Sequence, residues 1–380
     1  MADVVVVGAG PVGMLLAGLL HRNGLEVTVL ERRPAASPGS RAIGIHAPSL
    51  AALESSGVTE RLLDRALRVS RGEARSGGKV LGAVRFDRLS TRFPFVATLP
   101  QSATEEVLAV DAPVVRRGVE VTALRPEGGR VRVFLAGDEN GRGGEQLLAS
   151  VVLVAAGVAA RGLVYRGNGV RVRQYPDRYL MADLTAQGGP VAVVTLDAHG
   201  VLESFPLPDG VRRFVTWDPE PGHDAPEART ARLRRALEQR GEAEAAASLV
   251  SASGFRVRRA VAPALVHGSL VVLGDTAHEV SPIGGQGMNL GLLDAATLAP
   301  LVTDWVRSGR RPDAELDRWE RDRLASARTA ARLAAANTTL GRPLGPAGDA
   351  ARRALLRVAL GSPASGIFAR AYAMGFDRAA

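Results

Sequence analysis

The chain has 380 residues, of which 46% are hydrophobic and 23% charged, a composition typical of a folded protein of about two domains. It contains no cysteine, which excludes disulfides, thiolate metal sites and cysteine catalysis and favours a reducing cytoplasm. The net charge of +9 comes almost entirely from scattered arginines, without basic runs that alternate with aromatic residues. We therefore expect no nucleic-acid partner and no metal site, and we expect the positive charge to favour anionic cofactors.

The N-terminal residues 4–20 carry no charge and could be mistaken for a signal peptide or a membrane span. They lack the basic segment of a signal peptide, and they contain glycines and a proline in a spaced pattern. No other uninterrupted apolar stretch approaches the length of a membrane span. We therefore expect a cytoplasmic protein without a membrane partner, and the sequence leaves monomer and dimer open.

The first chemical motif follows directly from a β-branched run at residues 4–7. The motif is Gly8-Ala9-Gly10-Pro11-Val12-Gly13, and a predicted helix, a second strand at residues 26–30 and Glu31 come after it. The order of strand, G-x-G-x-x-G, helix, strand and acid predicts a dinucleotide-binding unit. Gly8 would make the tight turn, Gly10 would admit a pyrophosphate, and Gly13 would allow close helix–strand packing. Glu31 would accept hydrogen bonds from ribose hydroxyls, and the motif alone does not choose between NAD(P) and FAD.

A second glycine-rich loop lies late in the chain. An apolar strand is predicted at residues 270–273, and Gly274 and Asp275 follow it. The loop continues as Ser281-Pro282-Ile283-Gly284-Gly285-Gln286-Gly287-Met288-Asn289, and a helical pattern begins at Met288. A strand that leads into a glycine loop at a helix N-terminus presents backbone N–H groups to an anion or a polar ring edge. This loop lacks the strand and acid of a second dinucleotide fingerprint.

Two residues between these motifs are further candidates for cofactor contacts. Arg41 lies in a short segment before Gly44, and its guanidinium suits a phosphate or an electron-rich ring, although a surface role is the alternative. Gln101 precedes a helix that Ser102 and Glu105 would begin as a capping box.

The remaining segments predict an inserted sheet and C-terminal helices. Residues 170–217 read as short strands of an antiparallel sheet, residues 227–247 as one charged helix, and residues 312–336 and 347–373 as helices. A substrate pocket is expected between the late glycine loop and this sheet. Its aromatic residues could line that pocket, but aromatic residues in strands more often pack in a core: Tyr175, Tyr179, Phe205, Phe214 and Trp217.

Together these motifs, in this order and spacing, resemble the group A flavoprotein monooxygenases. These are single-component, FAD-dependent aromatic hydroxylases and include the enzymes that tailor aromatic polyketides in antibiotic biosynthesis. The resemblance implies an α/β fold with a Rossmann-like FAD-binding domain of the glutathione-reductase type, an inserted antiparallel-sheet substrate domain and C-terminal helices. The expected FAD-binding domain comprises residues 1–70, 98–165 and 262–307, the substrate domain residues 71–97 and 166–261, and the helical segment residues 308–380.

The resemblance also implies a chemistry. FAD would be reduced by NADPH or NADH as a transient co-substrate, would react with O2, and would transfer oxygen from a C4a-hydroperoxide to an aromatic or polyketide-derived small molecule. No dedicated catalytic residue is implied, because the cofactor carries the reaction. Asp275 would bind a ribityl hydroxyl, and residues 282–289 would lie beside the isoalloxazine. The expected cofactor contacts are Gly8, Gly10, Pro11, Val12, Gly13, Glu31, Arg32, Arg41, Gln101, Asp275, Pro282, Gly285, Gly287, Met288 and Asn289.

The chain departs from the family pattern at Ala156, which stands where most members carry the Asp of an Asp-Gly pair. That Asp is associated with FAD and NAD(P)H handling, so two alternatives stay open. The first is an FAD-dependent oxidase, dehydrogenase or cyclisation catalyst in natural-product biosynthesis that does not insert oxygen. The second is a flavin-retaining protein without turnover. The chain is also short, and we expect it to lack the thioredoxin-like third domain of many relatives.

Overall fold

The computed structural model describes residues 2–35, 42–137, 144–167, 169–219, 225–362 and 365–377, and within them three sheets are surrounded by helices. The strands are β1 (Ala2–Val7), β2 (Val27–Glu31), β3 (Gly44–Ile45), β4 (Leu67–Val69), β5 (Arg71–Ser76), β6 (Lys79–Arg85), β7 (Val96–Thr98), β8 (Val115–Arg117), β9 (Val121–Glu127), β10 (Arg130–Leu135), β11 (Gln146–Val154), β12 (Val172–Thr185), β13 (Val191–Asp197), β14 (Gly200–Pro206), β15 (Val211–Trp217), β16 (Ser253–Val261), β17 (Val266–His267), β18 (Leu270–Val272) and β19 (His278–Glu279). The helices are α1 (Pro11–Arg22), α2 (Ala47–Leu53), α3 (Val58–Leu63), α4 (Gln101–Ala109), α5 (Arg161–Val164), α6 (Pro226–Glu238), α7 (Ala243–Ser248), α8 (Gly287–Ser308), α9 (Asp313–Leu340), α10 (Pro346–Gly361) and α11 (Ser365–Tyr372).

The first sheet has a parallel core in the order β18-β11-β1-β2-β8, to which β17, β10 and β9 add antiparallel strands. Its central strand β1 is buried on both faces, which explains why four consecutive valines form it rather than an alternating pattern. The carboxyl ends of β1, β2, β11 and β18 lie at one edge of this sheet. Ligands of open parallel sheets bind at such an edge, so both predicted loops emerge where a shared site is possible.

The second sheet has the strand order β19-β16-β12-β15-β14-β13-β5-β6. Its pairs are antiparallel except for β5 and β13, which run parallel. The inserted sheet is thus antiparallel as expected, apart from this one pair. The cause is chain connectivity. Between β5 and β13 the chain passes through strands of the third and first sheets, so no hairpin joins the two strands and they need not be antiparallel.

The two faces of the second sheet pack against different parts of the molecule. On the outer face, Phe214 and Leu202 pack beneath α6 and α7. On the inner face, Tyr179 and Val215 form a cluster with Ile283 of the late glycine loop. Tyr179 and Phe214 are fully buried, and Tyr179 also stacks on Phe255. Tyr179 and Phe214 are therefore core residues. The inner face of the second sheet packs against the late glycine loop through Ile283.

Three local predictions are wrong, each for a backbone reason. The single helix expected at residues 227–247 is two helices, because Gly241 adopts a left-handed conformation with φ of 82° between α6 and α7. The helix expected at residues 347–373 is likewise divided into α10 and α11. Helix α4 begins at Gln101 with Pro100 at its N-cap and without a side-chain cap, so Ser102 does not form the expected capping box.

Two global expectations concern membranes and metals. None of the helices in the described part of the chain combines the length and apolar character needed to cross a membrane. The same residues contain no group of three or more His, Asp or Glu side chains placed to hold a metal ion. The residue boundaries proposed for the two domains and the helical segment stay a prediction.

Helices α1 and α8 meet at a contact between two glycines and a valine. A Cβ atom added to Gly274 would lie 3.3 Å from Cγ2 of Val12, and one added to Gly291 would lie 2.4 Å from the same atom. Val12 belongs to the first glycine motif, and Gly274 begins the second. Close packing at Val12 therefore fixes the two loops relative to each other.

We predict that Gly291→Ala destabilises the protein by about 1–3 kcal/mol, because the new methyl group overlaps Val12 in a site that has no free volume. Urea denaturation measures this effect. The matched control is Gly366→Ala, since Gly366 lies in α11 and an added Cβ meets nothing within 4 Å. This control should raise stability by up to about 1 kcal/mol through helix propensity. Equal midpoints for Gly291→Ala and wild type would contradict the packing argument.

Candidate functional site

The first glycine motif forms a tight turn between β1 and α1. Gly8 has φ of 106° and donates from its amide to the Leu30 carbonyl at 2.8 Å. A Cβ on Gly8 would lie 2.6 Å from the Ala155 carbonyl oxygen, and one on Gly13 would lie 2.0 Å from the Gly8 carbonyl oxygen. Gly10 differs, because a Cβ there would meet nothing within 4 Å. Gly8 and Gly13 are thus needed for packing, whereas Gly10 borders open space.

The open space at Gly10 lies at the N-terminus of α1, where Pro11 occupies the first turn. No side chain of the described residues caps this helix end. The first amides of a helix lack intrahelical acceptors, and the helix dipole favours an anion there. Gly10, Pro11 and Val12 are each partly exposed. A diphosphate therefore fits this turn in both shape and charge.

Glu31 ends β2 beside the turn and is buried. One carboxylate oxygen accepts from the Ala9 amide at 2.9 Å, and the other accepts from the amide and Nε of Arg33 at 3.0 Å. Burial by itself would raise the pKa of Glu31, but the hydrogen bonds from Arg33 and Ala9 outweigh it and lower that pKa. The carboxylate is thus ionised and oriented, as a ribose acceptor must be. Arg32 is exposed next to it.

The second glycine loop runs from β18 to α8 and is anchored by a buried amide. The Asn289 side chain donates to the carbonyls of Gly44 at 2.8 Å and Gly285 at 3.1 Å, and it accepts from the His46 amide at 2.8 Å. Asn289 thereby fixes β3 to the start of α8, so its described contacts are with protein. Asp275 and Pro282 are exposed, and Gly285, Gly287 and Met288 are partly exposed along the same path.

Two buried polar groups beside this loop have atoms without a normal hydrogen bond to the described residues. They are both ring nitrogens of His46 and Oε1 of Gln286. Burial lowers the pKa of His46 to about 4, although the neighbouring Gly285 backbone opposes the shift. A neutral imidazole and an amide oxygen are therefore left near a helix N-terminus. Such groups are expected where a polar ligand completes the hydrogen bonding.

The two candidates between the motifs have different outcomes. Arg41 lies outside the described residues. Gln101 accepts from the Ala42 amide at 3.2 Å and donates to Glu105 at 2.9 Å, so it holds the segment that follows Arg41 against α4.

Ala156 lies next to the first turn, and its neighbour Arg161 contacts the second loop. A Cβ on Gly8 would be 2.6 Å from the Ala156 Cα atom. Arg161 donates to the carbonyls of Asp275 at 2.8 Å and Thr276 at 3.2 Å, and it pairs with Glu279 at 2.9 Å. The segment that lacks the family Asp therefore still positions the loop, through a guanidinium that the sequence did not single out.

A buried charge cluster behind the loop was also missed. Asp294 of α8 is fully buried and accepts from the Gly274 amide at 3.0 Å, His278 Nε2 at 2.6 Å and Arg323 Nε at 2.7 Å. Arg323 in turn pairs with Asp377 at 2.9 Å. Burial alone would raise the pKa of Asp294, but the charges of His278 and Arg323 lower it to about 2. His278 is therefore a framework residue.

Glu203 was missed as well and lies on the inner face of the second sheet. It is 6% exposed, and neither a hydrogen bond nor a charge of a described residue contributes to its pKa. Burial raises its pKa to about 8. Its position could not be read from the sequence, because a single Glu in an alternating strand is equally compatible with a solvent-facing position.

Comparison with known proteins gives a family for this geometry. Residues 1–334 match the family model described as FAD binding domain. The chain is 33% identical over 354 residues to the 6-methylpretetramide 4-monooxygenase of Streptomyces rimosus, a match that covers 88% of this chain and 62% of that protein. It is 32% identical over 342 residues to a rifampicin monooxygenase of Streptomyces venezuelae, covering 85% and 68%. The chain thus spans 62–68% of the length of these two relatives.

Solved structures have the same fold. The anhydrotetracycline hydroxylase OxyS from Streptomyces rimosus superimposes with a TM-score of 0.78 at 27% identity, over 98% of this chain and 76% of that one. The Diels-Alderase PyrE3 of pyrroindomycin biosynthesis reaches 0.78 at 24% identity over 98% and 80%, a likeness that shows the fold alone. The expected fold class is confirmed: a Rossmann-like FAD-binding domain, a substrate-binding domain and C-terminal helices.

We predict that Arg161→Ala weakens FAD binding at least about tenfold and destabilises the fold by about 2–3 kcal/mol, because two loop carbonyls and Glu279 lose a largely buried donor. Fluorescence titration of FAD and urea denaturation measure the two effects. Arg258→Ala is the matched control, since Arg258 pairs with the same Glu279 at 3.0 Å but is 42% exposed. It should cost less than about 1 kcal/mol and leave FAD affinity unchanged. Similar losses for both variants would contradict a specific role of Arg161.

We predict that Glu203→Gln flattens the pH dependence of stability. The folded protein keeps the Glu203 proton up to a pKa of about 8, whereas the unfolded chain releases it near 4.5. The unfolded state is therefore increasingly favoured across this window, and wild-type stability falls by at most about 1.4 kcal/mol per pH unit. Glutamine does not titrate, so its contribution is constant.

Urea denaturation at several pH values from about 5 to about 8 tests this expectation. This range lies between the pKa of Glu203 in the unfolded chain and its pKa of about 8 in the folded protein. The matched control is Glu73→Gln, because Glu73 lies on the outer face of the same sheet and is paired with Arg71 and Arg75. The wild-type slope should persist in this control. Parallel stability curves for wild type and Glu203→Gln would show that Glu203 does not titrate in this range.

Proposed function

The chain belongs to the FAD binding domain family of aromatic hydroxylases, and on this premise we propose that it is an FAD-dependent monooxygenase. Its substrate would be an aromatic or polyketide-derived small molecule, its oxygen source O2, and its transient reductant NADPH or NADH. The observation that carries the proposal is the meeting of the two glycine loops at Val12. One loop suits a diphosphate, and the other presents the exposed Asp275 and a helix N-terminus.

Different residues of the two glycine loops would bind different parts of FAD. Gly10 and the first amides of α1 would take the diphosphate, Glu31 a ribose, and Asp275 a ribityl hydroxyl. The segment from Pro282 to Met288 would lie along the ring, and Arg32 and Gln101 would be further cofactor contacts. When bound, FAD supplies the hydride and oxygen chemistry that these side chains cannot perform.

The protein's own contribution is orientation, electrostatics and the exclusion of water. The N-terminus of α8 favours negative charge by about 0.3–1 kcal/mol, so it would stabilise a reduced, anionic ring. No side chain caps this helix in the described structure. The inner face of the second sheet carries apolar residues such as Val215 and Val194 opposite the loop. An aromatic substrate would bind between them in a site with little water.

The substrate class is supported by what the relatives act on. Their names describe monooxygenation of 6-methylpretetramide and rifampicin, and the solved neighbour is an anhydrotetracycline hydroxylase. These are large, oxygenated molecules with aromatic rings. The Asp that most family members carry beside the first turn is replaced in this chain by Ala156, which provides no carboxylate there. The alternative is an oxidase or cyclisation activity without oxygen insertion. The relatives are named as monooxygenases, which favours oxygen insertion over this alternative.

We predict that the purified chain carries FAD, that NADPH or NADH bleaches the flavin absorbance anaerobically, and that readmitted O2 yields a product with one added oxygen atom. Anhydrotetracycline and rifampicin are the first substrates to try, with ¹⁸O2 and mass spectrometry as the readout. The control is Gly10→Val. Gly10 has φ of −80°, which any residue adopts, and an added Cβ atom meets nothing within 4 Å. This variant should fold normally and lose FAD, because the side chain occupies the diphosphate position.

Two results would contradict this proposal in different ways. A flavin that neither nicotinamide reduces, with or without substrate, would exclude the hydroxylase cycle and leave the oxidase or cyclisation alternative. Full FAD content in Gly10→Val would mean that the diphosphate does not bind at the first turn.

A further inference from the structure

A cleft of about 630 Å³ opens between the second sheet and the C-terminal helices. Residues of β12 and β16 line it, together with residues from the end of α9, from α10 and from the turn between these helices. None of the described residues of the two glycine loops or of β13, β14 and β15 lines this cleft. It is therefore separate from the proposed FAD site and from the inner-face valines where the substrate is proposed to bind.

Positive charge dominates this cleft. Its described lining contains four arginines and no Asp or Glu. Two of these arginines have an acid within the protein, because Arg342 pairs with Asp177 at 2.7 Å and Arg352 pairs with Asp349 at 2.5 Å. The other two arginines therefore determine which ligands the cleft attracts.

These two, Arg173 of β12 and Arg259 of β16, lie directly opposite each other in the antiparallel strand pair. Side chains in such a pair point to the same face with Cβ atoms about 4.5–5.5 Å apart, so like charges there repel each other. Arg173 lies over the Tyr175 ring at 5.2 Å, and neither guanidinium forms an ion pair with a described residue. An oxyanion that binds both guanidiniums would compensate this repulsion.

The rest of the cleft surface is largely apolar. Tyr175, Leu340, Leu344 and Leu355 all line it. Leu344 is 39% exposed and Leu355 is 63% exposed, although both are large hydrophobic residues. Ligand sites combine such apolar surface with a few polar groups that fix the orientation of the ligand. A compound with a flat aromatic body and an anionic group therefore matches both the leucines and the two guanidiniums.

We propose that this cleft is a second ligand site, in which Arg173 and Arg259 bind the carboxylate or phosphate group of an aromatic compound. The site goes beyond the proposed function and does not depend on it, because it uses no residue proposed to bind FAD. A guanidinium binds carboxylates and phosphates with the same fork of N–H donors. Two sources share this chemistry, a free aromatic acid and a nucleotide phosphate such as the adenosine 2′-phosphate of NADPH.

Two pairs of probes, each an anion with its neutral counterpart, test the proposal. The pairs are 1-naphthoate with 1-naphthamide, and adenosine 2′-phosphate with adenosine. Each probe is measured by equilibrium dialysis against the FAD-loaded full chain at neutral pH, so that FAD occupies its own site. Arg173→Gln and Arg259→Gln should each weaken the binding of at least one anion about tenfold, because a charge-assisted hydrogen bond is lost. The affinity for its neutral counterpart should change by less than about twofold.

The same measurements assign the source of the anion. A loss confined to 1-naphthoate identifies an aromatic acid, and a loss confined to adenosine 2′-phosphate identifies a nucleotide. The matched control is Arg256→Gln, since Arg256 lies on the same strand, is exposed and does not line the cleft. It should keep the wild-type affinity for all four probes. Both cleft variants should keep the wild-type FAD content and unfolding midpoint, because each removes one of two charges that repel each other.

Three results would overturn the inference. They are an unchanged affinity for both anions in Arg173→Gln and Arg259→Gln, an equal loss for the neutral probes, and a loss in Arg256→Gln as large as that in the cleft variants. The last result would mean a general attraction of anions to a chain with a net charge of +9. Flavin reduction and oxygen transfer are not involved in these measurements, so their failure would count against the proposed function only.

Discussion

The position of the late glycine loop depends on one buried carboxylate, that of Asp294. It accepts from the Gly274 amide, the His278 ring and the Arg323 guanidinium, so β18, the loop and helix α9 are all fixed to α8. Removing one partner from such a cluster leaves an uncompensated buried charge, at a typical cost of about 3–5 kcal/mol. The N-terminus of α8 therefore has a single orientation at the edge of the parallel sheet. Val12 and Gly291 then bring the first turn against the same helix, so the two glycine loops border one site.

Asp294 and Glu203 show how partners, rather than burial, decide the state of an acid. Both are buried carboxyl groups, yet the pKa of Asp294 falls to about 2 and that of Glu203 rises to about 8. Burial acts in the same direction on both. The difference comes from His278 and Arg323, which compensate Asp294 within the protein. No charge of a described residue compensates Glu203 in this way, and this asymmetry accounts for the opposite shifts of the two pKa values.

The sequence predicted the parts of the site that are encoded locally. Gly8, Gly10 and Gly13 have the turn, the open approach and the packing that their spacing indicated, because a strand–turn–helix unit carries its own constraints. Residues whose role depends on distant neighbours could not be assigned in this way. The side chain of Asn289 donates to the Gly44 carbonyl and holds β3, 245 positions earlier in the chain, a role that its place in the glycine loop did not indicate. The roles of Arg161 and Glu203 likewise depend on the fold, because Arg161 donates to the Asp275 carbonyl and burial in the second sheet raises the pKa of Glu203.

The replacement at Ala156 has a narrower consequence than its place in the motif suggests. A missing carboxylate could have freed the late loop, but Arg161 holds the Asp275 and Thr276 carbonyls from the same segment. The loop is therefore fixed without residue 156. What changes is the charge beside Gly8, where an Asp would have brought a second acid near Glu31. In the proposed cycle this change would act on the approach of a nicotinamide rather than on the retention of FAD, because the groups proposed to hold FAD are Glu31, the α1 N-terminus and the loop that Arg161 binds.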